Sequence, residues 1–324
     1  MNRPLSVWKL VNKSLLEHIP VMLLYVVESS GSSPGRQGFA MAVNAQGAMQ
    51  GSIGGGIMEH KFVEMAKEHL ANGKNEITLR KQIHDKEAAK NQSGMICSGE
   101  QTIVLYRVKE EDVNVVDQII YCLENYSNGL LQISTSGIAF SNEVNRCKNE
   151  FVFHSENDWL YKEQIGYKNR LHIIGAGHCA LAFSKIMRMM DFYINLYDDR
   201  SGLNTFEENT YVHEKKIVGD YSELESLIHS DENSFVVVMT FGYRTDDMAV
   251  RALMKKQFRY FGLLGSKNKI NKMFADYVKE GIDETLLQNI HAPVGLDIKS
   301  ETPEEIAVSI AGEIIKVKNW GSQK

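Results

Sequence analysis

The sequence predicts an α/β protein, with a doubly wound parallel sheet in its C-terminal half and a mixed α/β domain before it. In the C-terminal half, apolar strand-like runs alternate regularly with helical segments, which is typical of parallel βαβ units. The N-terminal half mixes both kinds of segment without that regularity. At 324 residues, the chain also exceeds the roughly 250–300 residues at which single cores stop growing, so we expect two domains.

The N-terminal half begins with an amphipathic helical pattern over residues 6–18. The uninterrupted apolar run 21–27 then predicts a buried strand. Further strands are predicted at 39–43, 48–53, 102–108 and 130–135, and further helices at 57–70 and 112–124. The polar stretch 142–169 is predicted to be a linker, which bounds an N-terminal domain at 1–141 and a C-terminal domain at 170–324.

The C-terminal half has the pattern of a Rossmann-like sheet. Its strands are predicted at 171–175, 193–198, 234–240 and 259–264. Its helices are predicted at 178–190, 221–228, 245–256, 267–279 and 303–318. The last helix has strong start signals, because Thr302 suits the N-cap and Pro303 the first turn.

A glycine-rich turn joins the first of these strands to its helix. Gly175 and Gly177 follow the apolar run, Ala180 lies in the helix, and the next strand ends at Asp198. In a dinucleotide-binding βαβ unit the first glycine allows a tight turn, the second admits a pyrophosphate and the acid hydrogen-bonds a ribose. We therefore expect a ligand with phosphates here. The alternative is that the glycines only pack a helix against the sheet.

Two further candidate sites lie at the same predicted edge of the sheet. His178 follows the glycine turn, where it can donate to a phosphate or serve only as a capping or packing residue. Gly265 and Ser266 follow the last predicted strand and predict a second anion-binding helix start.

A second glycine cluster lies in the N-terminal half. Gly54, Gly55 and Gly56 precede a predicted helix, and Ser32 and Arg36 belong to a turn upstream. Consecutive glycines can leave backbone N–H groups open to ligand oxygens, and an arginine can hold a phosphate. The cluster predicts an anionic ligand, with a tight strand-to-helix connection as the alternative.

The four cysteines are scattered, so neither a zinc site nor a disulfide framework is indicated. Cys97 lies in a glycine- and serine-rich turn, where neighbouring N–H groups can lower a thiol pKa, and it is the candidate for sulfur chemistry or cofactor ligation. Cys122 and Cys179 lie in predicted helices and Cys147 in the predicted linker.

Composition excludes several classes of function. The formal net charge is −5 and no long basic run occurs, so neither nucleic acid nor an anionic membrane is an expected partner. The N-terminus lacks a signal-peptide core, and no apolar run approaches the roughly 18–20 residues of a membrane span. We therefore expect a cytoplasmic protein.

Six motifs carry a resemblance to a known family. They are Glu28–Pro34, Gly51–Glu59, Gly175–His178, Asp198–Arg200, Gly262–Ser266 and Pro293–Ile310. These residues resemble the XdhC/CoxI family of xanthine dehydrogenase accessory factors over nearly the whole chain. The last motif is the most specific, since neither packing nor Rossmann chemistry demands so long a fixed string.

The resemblance implies a maturation factor for molybdenum hydroxylases. Such a factor binds the molybdenum cofactor, holds it while a cysteine desulfurase exchanges a terminal oxo ligand for sulfur, and delivers it to an apo molybdenum hydroxylase of the xanthine dehydrogenase type. By motif, Cys97 matches the family's cysteine–glycine loop. A homodimer is also expected. The residues predicted to bind the cofactor are Ser32, Arg36, Gly54, Gly55, Gly56, Glu59, Gly175, Gly177, His178, Asp198, Asp199, Arg200, Gly265 and Ser266.

The chain departs from the family pattern at three places. Ser98 stands where the family loop commonly has glycine, and Ile57 stands where many members have a second cysteine. The run Phe241–Arg244 replaces a short run that often contains Asp and His. Two other functions stay open: an NAD(P)-dependent oxidoreductase, and a non-catalytic scaffold that senses a nucleotide.

Overall fold

The structure is a computed structural model, and it describes residues 3–83, 99–125, 127–142, 149–167 and 169–320. The chain divides into two compact units, Met1–Gly166 and Tyr167–Lys324. The fold class is confirmed, because the second unit holds a five-stranded parallel sheet and the first mixes helices with antiparallel sheets.

The first unit has two antiparallel sheets. Its helices are α1 (Arg3–Leu16), α2 (Gly56–Ala71) and α3 (Val113–Glu124). Its strands are β1 (Val21–Gly31), β2 (Ala40–Asn44), β3 (Met49–Gly51), β4 (Thr78–Ile83), β5 (Gly99–Arg107), β6 (Gly129–Ser134), β7 (Gly137–Ser141), β8 (Glu150–Ser155) and β9 (Asp158–Ile165). The sheet orders are β3-β2-β1-β5-β4 and β7-β6-β9-β8.

The apolar run of β1 is continuous because both faces of this central strand are covered. Alternate residues such as Leu23 and Tyr25 pack with α1, α3 and the four-stranded sheet. The residues between them, such as Leu24, pack against α2. A strand buried on both faces loses the usual polar alternation.

The predicted linker at 142–169 is wrong for most of its described length. β8 and β9 lie within it, and β9 pairs with β6 in antiparallel register. Trp159 and Tyr161 of β9 are buried in the core of the first unit. Buried residues alternate with more exposed ones along β9, and that pattern belongs to a sheet with one covered face.

The second unit is the doubly wound domain. Its strands are β10 (Asn169–Ile174), β11 (Phe192–Asp198), β12 (Glu214–Ile217), β13 (Asp231–Val238) and β14 (Phe258–Leu263). Its helices are α4 (His178–Met189), α5 (Asn204–Glu207), α6 (Leu224–Leu227), α7 (Tyr243–Leu253), α8 (Lys267–Lys279), α9 (Glu284–Gln288) and α10 (Pro303–Trp320). The sheet order is β12-β11-β10-β13-β14, with all pairs parallel.

Helices cover both faces of this parallel sheet. α4 and α10 pack on one face, around Leu171 and Ile173 of β10. α7 and α8 pack on the other face, around Val236 and Val238 of β13. The strand order reverses between β10 and β13, which makes this the topological switch point of the sheet.

Two C-terminal elements differ from the prediction. Strand β12 was not expected, because all four residues of this edge strand are exposed and no apolar run marks it. The helix predicted at 221–228 is a short 3₁₀ turn, Tyr221–Glu223, followed by the single turn of α6. Within the described part of the chain, no helix is both long and apolar enough to cross a membrane.

Candidate functional site

The carboxyl ends of parallel strands lie at one edge of the sheet, and the predicted C-terminal site residues follow these ends. The loops after β10 (residues 175–177) and β13 (residues 239–242) flank the switch point. Open α/β sheets bind their ligands in the crevice at this point. This edge is therefore where a binding site is expected first.

Gly175 makes the tight turn that the sequence predicts. Its φ is +100°, a region that side chains disfavour. A Cβ at this position would lie 2.4 Å from the carbonyl oxygen of Met239 and 2.7 Å from the Cα of Thr240. The loop after β10 therefore packs directly on the loop after β13, and only glycine allows that approach.

Gly177 has open surroundings. Its φ of −72° suits any residue, and a Cβ there would meet nothing within 4 Å. It is the N-cap of α4, no side chain caps the helix, and His178 is exposed. The N–H groups of the first helical turn are thus open to an anion, which the helix dipole favours.

Asp198 has a different role from the one predicted. It is 0% exposed, and its Oδ2 accepts the Ala176 N–H at 2.7 Å and the Arg200 Nη2 at 2.8 Å. Its Oδ1 accepts the N–H and Nε of Arg200 at 2.9 and 2.8 Å. With four donors on a buried carboxylate, Asp198 has no oxygen turned to a ribose, and it instead ties the glycine turn to Arg200.

The protonation state of Asp198 follows from these contacts. Burial raises the pKa of the carboxyl, but the hydrogen bonds from Arg200 and Ala176 outweigh it and leave the pKa below its ordinary value. The neighbouring Asp199 is the more accessible carboxylate, with 27% of its side chain exposed and an oxygen 3.9 Å from Arg200 Nε.

Phe241 is the residue that sequence reasoning missed at this edge. It lies in the loop after β13 and is 87% exposed, the largest fraction among the large apolar side chains that the structure describes. The Arg200 guanidinium carbon lies 5.7 Å from the centre of its ring. Its place directly after a strand at the switch point was the available signal.

The loop after β13 is anchored by Asp246, which lies in the first turn of α7 and is 0% exposed. This carboxylate accepts the Thr240 N–H at 3.0 Å and the Thr240 hydroxyl at 2.5 Å. Its other oxygen pairs with Lys269 of α8. The backbone next to Phe241 is thus held by a buried network rather than left to move freely.

The helix start at Gly265 and Ser266 is already capped. Ser266 Oγ accepts the Lys269 N–H at 3.3 Å. A Cβ on Gly265 would lie 3.3 Å from the Lys269 side chain, which runs from there to Asp246. An anion at this second predicted site would have to displace the cap, so the start of α4 is the more open of the two.

The long motif 293–310 has a structural explanation. Its first residues lie beside the end of β14, since the Val294 N–H donates to the Leu263 carbonyl oxygen at 2.9 Å. Gly295 then meets α10: a Cβ there would lie 2.4 Å from Ser309 Oγ, and its N–H donates to Glu313 at 2.8 Å. The motif therefore fastens α10 to the sheet.

The N-terminal glycine turn is closed by its own helix. Gly54, Gly55 and Gly56 have φ values of +131°, +76° and +70°, as a strained strand-to-helix turn requires. A Cβ on Gly54 would lie 2.5 Å from the backbone nitrogen of Gly35. The two glycine-containing loops therefore touch, and only glycine fits between them.

Glu59 occupies the amides that were predicted to be open. Its Oε2 accepts the Ser52 hydroxyl at 2.6 Å and the N–H groups of Ile53 and Gly55 at 2.9 and 3.1 Å. The Gly54 N–H donates to Ser52 Oγ at 3.1 Å. The prediction of free amides at Gly54 and Gly55 is wrong, because a carboxylate of the chain already takes the place of ligand oxygens.

The remaining N-terminal candidates are exposed or undescribed. Ser32 and Arg36 are exposed, and Arg36 Nη1 donates to the Gly31 carbonyl oxygen at 2.9 Å. Cys97 lies outside the described residues, and the described chain resumes at Gly99, in register with Gly31.

Two cysteines in helices fit a structural role. Burial raises the pKa of the Cys122 thiol, and burial together with Glu304 raises that of Cys179. A raised pKa keeps a thiol protonated and unreactive at neutral pH. Within the ranges that the structure describes, no group of three or more His, Cys, Asp or Glu side chains could hold a metal ion.

Removing the Glu59 carboxylate tests its structural role. We expect Glu59→Ala to destabilise the first unit by about 2 kcal/mol, because the buried Ile53 N–H and two further donors lose their acceptor. Trp8 and Trp159 are buried in this unit, so tryptophan fluorescence in urea follows its unfolding. Glu64→Ala is the control, since Glu64 is an exposed residue of α2 that pairs with the exposed Lys67, and we expect a loss under about 0.5 kcal/mol. Equal midpoints for the two variants would contradict the assignment.

Comparisons with known proteins match both units of the chain. A family model described as the XdhC Rossmann domain matches residues 171–314, and one described as the XdhC and CoxI family matches residues 14–81. The uncharacterized protein YqeB of Escherichia coli (strain K12) is 26% identical over 308 residues, which cover 94% of this chain and 44% of YqeB. The chain thus spans less than half the length of that relative.

A second relative and a solved structure match the chain over nearly their full lengths. A probable xanthine dehydrogenase subunit of Bacillus subtilis (strain 168) is 22% identical over 316 residues, covering 92% of this chain and 93% of the relative. A crystal structure from Bacillus halodurans, described as a xanthine dehydrogenase, has a TM-score of 0.71 at 22% identity and covers 98% of this chain and 96% of its own. That structure shares the fold. With family models matching one segment in each unit, this chain belongs to the XdhC and CoxI family.

Proposed function

We propose that this protein binds the molybdenum cofactor, supports its sulfuration and delivers it to a molybdenum hydroxylase of the xanthine dehydrogenase type. Family membership and the relatives named as xanthine dehydrogenases support a role in the maturation of such an enzyme. A cysteine desulfurase is the proposed sulfur donor. The homodimer and the cytoplasmic location stay predictions.

The observation that carries the proposal is the open start of α4 at the switch point of the parallel sheet. Gly177 leaves room for a ligand to reach the backbone, and the first helical turn offers N–H donors without a capping side chain. Arg200 adds a cation at the neighbouring strand end. These are the groups that a phosphate requires, so the residues present fit the phosphate end of a pterin cofactor.

The residues around this turn have separable tasks in the proposal. Gly175 brings the turn onto the loop after β13, and Asp198 holds both the turn and Arg200 in place. The amides of α4 then bind and orient the anion. When bound, the cofactor supplies a molybdenum centre whose terminal oxo ligand can be exchanged for sulfur. Cys97 stays the proposed residue for sulfur chemistry, on the family motif alone.

Substituting Gly177 tests the proposal. In cells that make the molybdenum cofactor, we expect the wild type to copurify with molybdopterin and Gly177→Asp to retain at least about tenfold less, since a carboxylate repelling the phosphate by about 1.4 kcal/mol is sufficient. The readout is molybdopterin extracted from the purified protein and quantified by mass spectrometry.

The matched control is Gly177→Ala. Its φ is compatible with alanine and a Cβ meets no protein atom, so the variant folds and tests size without charge. We expect it to retain more molybdopterin than Gly177→Asp. If Gly177→Asp is folded and carries as much molybdopterin as the wild type, the proposal fails.

The same geometry favours one alternative, an NAD(P)-binding protein, because a tight first glycine and an open second one also suit a pyrophosphate bridge. Calorimetry with NADH, alone and with an apo molybdenum hydroxylase, separates the two. Binding of NADH that changes the affinity for the hydroxylase, without any retained molybdopterin, would favour the alternative.

A further inference from the structure

The exposure of Phe241 is unusual for a large apolar side chain. Its ring is 87% exposed, whereas the residues on either side of it in the chain are tied down through Thr240 and through the Gly242 N–H, which donates to Thr245 Oγ1 at 3.2 Å. The loop therefore presents the ring at a held position. An apolar ring kept in water at a ligand-binding edge is typical of a recognition surface.

We infer that Phe241 and Arg200 form a recognition surface for a planar heterocycle whose attached phosphate group lies at the start of α4. The inference rests on the proposed function for the phosphate end and adds the chemistry that recognises the ring. Phe241 stacks on the heterocycle. Arg200 donates to a polar atom at its edge.

The position of the surface follows from the backbone contacts at the switch point. Met239 and Thr240, immediately before Phe241, lie against Gly175 at distances that exclude even a methyl group. Two residues after Gly175 comes the open Gly177. A ligand with its phosphate at Gly177 thus has the loop of Phe241 beside it, and its next group is within reach of the ring.

Arg200 is arranged for this task before a ligand arrives. Asp198 holds its Nε and Nη2 at 2.8 Å, which fixes the plane of the guanidinium. The hydrogen bonds described for Arg200 do not use Nη1, and 38% of the side chain is exposed. The guanidinium lies 5.7 Å from the Phe241 ring, so one planar cation and one aromatic ring border the same space.

The ligand class follows from these two groups. A phenylalanine offers a π face and no hydrogen bond, so it favours a flat ring whatever the substituents of that ring. An arginine fork favours ring keto groups, ring nitrogens or phosphate oxygens. A pterin and a nucleotide base both meet this description, and the experiment distinguishes these two sources.

The test uses the intact protein and three probes: NADH, neopterin monophosphate and inorganic pyrophosphate. We expect Phe241→Ala to weaken binding of at least one ring-containing probe by about tenfold to a hundredfold, the range for loss of one aromatic–base stack. Pyrophosphate, which has no ring, should bind within about twofold of the wild type. The ring probe that loses affinity identifies the heterocycle.

Two further variants control for size and for the aromatic ring. Phe241→Leu keeps an apolar side chain and should bind the ring probes as weakly as Phe241→Ala. Phe241→Tyr keeps the ring and should bind them as the wild type does. Calorimetry gives the affinities, and circular dichroism confirms that each variant is folded.

Several outcomes would overturn the inference. The inference fails if Phe241→Ala or Phe241→Leu binds both ring probes as tightly as the wild-type protein does. It also fails if the wild-type protein binds pyrophosphate but neither ring probe. If Phe241→Ala instead loses only its affinity for an apo molybdenum hydroxylase, the ring contacts a protein partner. The Gly177→Asp variant tests the phosphate site independently. If that variant binds pyrophosphate as the wild type does, the result counts against the phosphate site and not against stacking on Phe241.

Discussion

Gly175→Ala is expected to destabilise the second unit by about 3 kcal/mol or more. A residue with a side chain at a φ of +100° costs about 1–3 kcal/mol, and overpacking against backbone adds about 1–3 kcal/mol. The clash is with backbone, because the new Cβ would lie 2.4 Å from the Met239 carbonyl oxygen and 2.7 Å from the Thr240 Cα. The strands β10 and β13 would have to separate or tilt at the switch point.

Hydrogen–deuterium exchange of the intact chain measures this loss where it occurs. Amides of β10 and β13 should exchange faster in Gly175→Ala, while those of β1 and β5 in the first unit stay unchanged. The control is Gly177→Ala, two residues away, which we expect to lie within about 0.5 kcal/mol of the wild type because its Cβ enters open space. Equal protection of β10 in the two variants would contradict the described packing.

Asp198→Asn is expected to destabilise the second unit by about 2 kcal/mol at pH 7. The amide replaces one carboxylate oxygen by a donor, which then faces the Ala176 N–H or the Arg200 guanidinium. Breaking a fully buried ion pair costs about 3–5 kcal/mol, and the cost here is smaller because 38% of the Arg200 side chain is exposed to solvent.

The effect of Asp198→Asn should depend on pH with a defined sign. The folded state lowers the pKa of Asp198, so its ionised form contributes stability above the unfolded pKa of about 3.9 and loses it as pH falls. The difference between the wild type and the variant is therefore largest near neutral pH and shrinks below about pH 4.

Unfolding curves at a series of pH values, followed by exchange of β10 and β11 amides, test this dependence. Asp297→Asn is the control, because Asp297 is an exposed carboxylate of the same unit and its removal changes the net charge equally. At pH 7 we expect it to lose no more than about 0.5 kcal/mol. A loss for Asp198→Asn that is constant from pH 7 to pH 3 would rule out the ionised carboxylate as its source.

Much of the fold follows from local pattern. The apolar runs of β1, β10, β11, β13 and β14 and the periodic helices α4, α7, α8 and α10 lie close to their predicted places. Elements with only a short apolar run, or with none, were not predicted, and strands β8, β9 and the exposed edge strand β12 are the examples. The pairings of β9 with β6 and of β12 with β11 join segments that are not adjacent in sequence, so no local window contains the reason these strands form.

The candidate site, like the fold, could be predicted from the sequence only in part. Residue type and spacing predict the turn at Gly175 and the open helix start at Gly177, because backbone conformation depends on glycine itself. They mispredict Asp198 and Glu59, whose carboxylates turn inward to backbone N–H groups. A carboxylate beside a glycine turn can serve a ligand or replace one, and the choice depends on donors brought close by folding.

By itself, the sequence determined the α/β class of this protein, its family and the glycine turn at the switch point. These depend on periodicity, motif and the φ range of glycine, which are local properties. Only the tertiary structure decided that the N-terminal turn is filled by Glu59, that Asp198 holds Arg200, and that Phe241 faces solvent beside it. Each of these depends on which donors, acceptors and neighbours the packed chain brings within a few ångströms, and spacing along the sequence does not contain that distance.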